Sequence, residues 1–131
     1  MATVVTTAGR AIAQNRLRGS GTEPVYCGWG TGAGTASATA TSLYTEKADD
    51  ISATAGNRKT GTSSAYSTSV ANDTWRLQTT YTATGAGTIT NAGAFDALTL
   101  TAGNLFMYGD FTGIGLSSGD AIAFDMRVVF G

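Results

Sequence analysis

Between residues 121 and 130 the chain alternates between two kinds of position. Ile122, Phe124, Met126, Val128 and Phe130 form one series; Ala121, Ala123, Asp125, Arg127 and Val129 form the other. Side chains along a strand point to opposite faces with period two, so the first series can fill a core while Asp125 and Arg127 stay in water. A helix would scatter the same apolar groups around its circumference, so the pattern predicts a strand. A polar, glycine-bearing reversal at residues 116–120 precedes it. Residues 74–83 repeat the pattern, with Trp75, Leu77, Thr79 and Tyr81 interleaved among Arg76, Gln78 and Thr80 after a turn signal at Asn72 and Asp73.

Weaker runs complete the picture. Residues 25–29 read as the first strand of the domain, and residues 63–70 as a strand of modest hydrophobicity. Residues 88–95 make another strand, with Ile89 as its main core side chain. Residues 104–111 make one more, with Leu105, Met107 and Phe111 on one side. Residues 43–46 suit a short strand or a turn of helix. The small-residue stretch 28–42 reads as a flexible surface loop, and residues 47–61 as a polar loop carrying Asp49, Asp50, Arg58 and Lys59. Short strands separated by glycine-bearing turns imply an all-β fold over residues 20–131: an antiparallel sandwich, a jelly roll or a barrel.

Residues 1–19 differ. Thr7 is placed to cap a short helix over residues 8–17, with Gly19 as its stop. Ala8, Ala11, Ile12 and Leu17 give only a thin apolar stripe, so this helix needs something to lie against. Arg10, Arg16 and Arg18 precede every acidic residue, which makes the segment a basic arm. It reads as a solvated terminus, as a lid on its own sheet, or as an arm that docks on a neighbouring subunit or an acidic partner.

Composition narrows the function more than the fold. Charged residues are only 13% of the chain and the net charge is −1, so nothing electrostatic points to nucleic acid. There is no histidine, which removes the commonest general acid–base group and the commonest metal ligand. A single cysteine, Cys27, cannot form an internal disulfide and reads as a packed small side chain. No apolar run approaches the ~20 residues needed to span a bilayer, and the N-terminus lacks the pattern of a secretory signal. The expected setting is assembly inside a cell, away from membranes.

Candidate chemistry is sparse. Gly28, Gly30 and Ala33 outline G-x-G-x-x-A after a strand, with Asp49 and Asp50 about 20 residues on. The residues that follow form a poor helix, so the pyrophosphate seat of a dinucleotide site is missing. Asp96, Asp110, Asp120 and Asp125 sit beside turns or on outward strand positions, where solvation explains them. The expectation is a protein that is not an enzyme, with no catalytic residues, cofactor or metal. Trp29, set among glycines, reads either as a core plug or as an exposed contact residue. With Arg10, Arg16 and Arg18 it completes the candidate protein-contact set.

Three blocks read together resemble a known group. They are VVTTAGRAIAQNRLRGSGTEP, VYCGWGTGAGTASATATSLYTE, and the ending TITNAGAFDA with GNLFMYGDFTGIGLSSGDAIAFDMRVVF. They are similar to small tailed-bacteriophage virion structural proteins, and the last block also resembles modules of tail fibres. The resemblance implies a small antiparallel β-sandwich, jelly-roll-like, that serves as a capsid cement or decoration protein, binding the outer surface of the major capsid protein lattice and stabilising the head. Its implied location is the virion, after assembly in the host cytoplasm, and its implied partners are the major capsid protein and itself, as dimer or trimer. Neither nucleic acid nor membrane is an expected partner. The alternatives are a tail-fibre or tail-adaptor β-domain acting in assembly or host glycan binding, and a carbohydrate-binding module.

Overall fold

The computed structural model describes residues 2–47 and 57–130. Most of the loop expected at 47–61, including Asp49 and Asp50, lies outside the described residues. The fold is an all-β antiparallel sandwich with one N-terminal helix. Strand β1 is Ala2–Val5 and helix α1 is Thr7–Leu17; β2 is Tyr26–Gly30, β3 is Glu46–Lys47 and β4 is Lys59–Thr60. They are followed by β5, Thr62–Tyr66; β6, Thr74–Thr82; β7, Gly87–Phe95; β8, Leu105–Leu116; and β9, Ala121–Val129. One sheet has the order β1-β8-β7-β2-β3, with β4 also on β2; the other has the order β5-β6-β9. The chain changes sheets between β4 and β5, between β6 and β7, and again between β8 and β9.

The two alternating runs pair with each other in full register, from Thr74 opposite Val129 to Thr82 opposite Ala121. Leu77, Thr79, Tyr81 and Ile122 are buried on the inner face, while Phe124, Met126 and Val128 are only half-buried. Phe130 departs from the expectation. It lies just past β9 and is 62% exposed, because its strand has ended and no opposing side chain covers it. Facing this sheet, Cys27 and Trp29 of β2 join Ile89 and Ala92 of β7 in the main core cluster.

Strand β8 breaks its own alternation. Ala94 is opposite Met107, but Phe95 is opposite Leu105, so Phe106 is an extra residue. Such a bulge leaves one residue unpaired and re-aims its neighbours. Met107 and Phe106 pack inward with Leu77, whereas Leu105 and Tyr108 pack on the opposite face with Leu43 and Phe95. Leu105 and Met107 therefore do not share a side, contrary to the period-two reading.

Residues 2–5 are a strand of the sheet rather than free arm, pairing Ala2 with Asp110 through Val5 with Met107. The helix follows at once, and its cap is Thr6, one residue before the expected Thr7. The Thr6 hydroxyl accepts from the Gly9 amide (2.9 Å) and donates to the Leu105 carbonyl, and Thr6 is fully buried. Gly19 lies past the helix end with φ +76°, and its amide donates to the Arg16 carbonyl, the stop expected of glycine there. Gly9 lets the helix approach β8: a Cβ at this position would sit 2.0 Å from the Phe106 carbonyl oxygen.

Candidate functional site

Helix α1 covers one end of the sandwich through Ile12, which packs with Phe106, Leu77 and Trp75. The cover is incomplete. An apolar groove of about 220 Å³ remains between the helix and the C-terminus, lined by Ile12, Ala13, Leu17, Pro24, Trp75, Phe106 and Phe130, with Arg16 the one charged residue among its walls. Trp75 stacks edge-on against Phe106 at 5.3 Å, and its indole N–H donates to Glu23 (3.2 Å) and Ser63 (3.1 Å). The floor is thus held by a ring pair with its polar end satisfied. The rim is not covered, since Leu17 is 90% exposed and Phe130 is exposed beside it.

The arginines of the candidate set fall on this element. Arg10 and Arg16 lie on α1 and Arg18 is its C-cap, all three exposed. Arg16 donates to the Gly21 carbonyl at 3.0 Å, and none of the three joins an ion pair among the described residues. Trp29 does not belong with them. It is 2% exposed and packs in the main core, so it is a core plug and not a contact surface. What sequence reading missed was Phe130 and Leu17 as neighbours: one was assigned to the core and the other to a thin helical stripe, and they are more than a hundred residues apart.

The glycine-rich loop has another role from the one its motif outlines. Gly28 and Gly30 are strand residues of β2, and no helix follows among the described residues. A Cβ at Gly30 would meet the Tyr44 carbonyl oxygen at 2.2 Å, and one at Gly34 would meet the Tyr44 ring at 2.3 Å. The glycines allow the loop to lie against the outer face of the larger sheet. Buried Asn91 holds it there, its amide pairing with both the N–H and the carbonyl of Tyr44 at 3.1 Å. Asp110 accepts from Ala36 and the Tyr108 hydroxyl accepts from Ser37, each at 2.8 Å. The loop expected to be a flexible surface segment is pinned along much of its length.

Several other polar groups have structural partners. Arg58, expected in a polar loop, is buried: it pairs with Glu46 at 2.6 Å and donates to the carbonyls of Ala97, Thr99 and Ala102 at 2.7–3.0 Å. Its guanidinium lies 3.4 Å from the centre of the Phe95 ring. Asp73 accepts from the amides of Thr68, Ser69 and Val70, and these bonds hold its carboxyl well below the usual range. Burial pushes the Cys27 thiol up to about 12, so at neutral pH it is protonated. Asp96 receives bonds from Asn104, and Asp120 from the Ser117 amide. Among the described residues no three of Cys, Asp and Glu converge on a point that could hold a metal ion.

Comparison with known proteins found no matching family model, no matching curated sequence and no matching solved structure.

Proposed function

We propose that this protein is a bacteriophage capsid cement or decoration protein that docks on the outer surface of the major capsid protein lattice. The observation that carries the reading is the apolar groove with an uncovered Leu17 and Phe130 on its rim and Arg16 in its wall, on a helix that also carries exposed Arg10 and is capped by exposed Arg18, none of the three ion-paired among the described residues. An apolar centre with a charged border is the usual anatomy of a protein interface. The basic border suits an acidic patch on the capsid protein. The three sequence blocks that resemble virion proteins support the class of partner. The low charge fits a particle component in which modest contacts, repeated over a shell, add up.

The tail-fibre and glycan-binding alternatives lean on an exposed aromatic platform, and the Trp29 they would have used is inside the core. Deleting residues 1–18 would remove an edge strand and the helix, so it does not separate attachment from folding. The cleaner test is Leu17→Asp with Phe130→Asp, both exposed, followed by measured occupancy on emptied or expanded capsids. The expected result is an unchanged melting temperature and at least about tenfold weaker capsid binding. Full occupancy by the folded double variant would reject the reading.

A further inference from the structure

The smaller sheet ends on an open edge. Strand β9 pairs with β6 and with nothing else among the described residues, although it is nine residues long. The other sheet edges are short or polar: β1 has four residues, β3 and β4 two each, and β5 reads TSSAY. Edge strands of monomers are normally blunted by proline, bulges or inward-pointing charge. Strand β9 has none of these; its inward row is Ile122, Phe124, Met126 and Val128. Beside this edge the sandwich gapes, with a cleft of about 560 Å³ between Met107 and Phe111 on one sheet and Phe124 and Met126 on the other. Phe124 and Met126 line this cleft and are only half-buried.

The outward row says which strand fits. When a strand pairs antiparallel with a copy of itself, the twofold axis must pass through a residue, so that inward groups face inward groups. An axis at Asp125 would place two aspartates opposite each other, and an axis at Arg127 two arginines. An axis at Met126 places Asp125 opposite the partner copy's Arg127, and Arg127 opposite its Asp125. The same register sets Ala123 against exposed Val129 on the outer face, and Phe124 against Val128 on the inner face. Charge and shape select one alignment.

We infer that two copies of this chain associate through β9, antiparallel about a twofold axis at Met126, joining their three-stranded sheets into one of six strands. The main-chain groups that point away from β6 then find partners, as in strand addition at a sheet edge. Arg76 strengthens the charge pattern: it holds Asp125 at 2.7 Å from the neighbouring strand, and Arg127 holds the same carboxylate at 2.8 Å. Asp125 is thereby fixed on the outer face by two arginines of its own chain, and the partner copy's Arg127 would be the third beside it. The pairing is read by self-association alone and stands whether or not the groove beside α1 takes a capsid protein.

The test is a charge-swap cycle on the full chain, read by sedimentation equilibrium. Asp125→Arg and Arg127→Asp each create two like-charge pairs per dimer and should raise the dissociation constant about tenfold or more. The double variant restores the complementarity, also placing an aspartate opposite Arg76, and should return the dimer. Met126→Cys supplies a second readout, since buried Cys27 does not compete. On mild oxidation it should give a covalent dimer across the axis, while Asp125→Cys or Arg127→Cys alone should not. A monomeric wild type overturns the inference, as does a dimer indifferent to the swaps or cross-linked equally well at all three positions. Capsid occupancy, measured separately, does not enter either outcome.

Discussion

Asp73 illustrates how one side chain can organise a turn. Asn72 adopts φ +58°, and the Asp73 carboxylate collects the amides of the preceding turn before β6 begins. Because these bonds depress its pKa in the fold, their contribution is complete above the ordinary carboxyl range of ~4 and is lost as pH falls further. Asp125 follows the same sign, its carboxyl held low by Arg76 and Arg127. Stability should therefore fall on acidification below about pH 4. Asp73→Asn should be less stable than wild type at neutral pH and show a shallower acid limb in thermal melts at stepped pH. Arg58 is the other decisive residue. Removing it strands Glu46 and three carbonyls, so Arg58→Ala should cost about 3–5 kcal/mol in denaturant titrations. Arg58→Lys should recover only part of this, because an ammonium cannot reproduce the forked contact with Glu46.

At the scale of elements, helix α1 exists because of β8. Its apolar stripe is thin, and a peptide of its length would be marginal alone. Thr6 caps it while bonding to the bulged strand, and Gly9 brings its backbone against Phe106. Gly9→Ala sets two effects against each other. Alanine favours the helix by about 1 kcal/mol, but its methyl would have to enter a backbone oxygen's space, and a clash with backbone is not relieved by a rotamer change. The steric effect should win, lowering the melting temperature. A gain in stability would mean that the helix does not pack this closely. Strands β6 and β9 were legible in sequence because their alternation is unbroken and their charges all fall on one face. Strand β8 was half legible: its existence followed from its hydrophobicity, but the bulge at Phe106 reverses the facing of what precedes it. Nothing in LFMYGD marks that extra residue, since all four apolar groups are buried by one layer or another.

For the whole molecule, three layers matter: the two sheets and the glycine-rich loop laid over the larger one. Cys27 lies at the inner centre with no exposure, and the Tyr81 hydroxyl donates to its carbonyl. A thiol so buried and so weakly acidic cannot be reached by local fraying. Its labelling by a thiol reagent should follow the global unfolding rate or equilibrium, and fast labelling of the native protein would show that the sheets separate locally. Among the described residues, the groove beside α1 and the edge of β9 are left uncovered by the chain itself. They adjoin at Phe130, which follows β9 directly and lines the groove.

The sequence by itself determined that this is a β-protein whose longest strands are amphipathic, because a two-residue period needs no knowledge of what it packs against. It also placed the short N-terminal helix and its glycine stop, since caps are local chemistry. Only the tertiary structure decided that Trp29 is core and Phe130 is surface, and that Arg58 is a buried clamp. It likewise decided that the glycines before Tyr44 serve close packing instead of a phosphate. In each of these the environment is built from residues tens of positions apart, and burial belongs to that environment and not to the side chain.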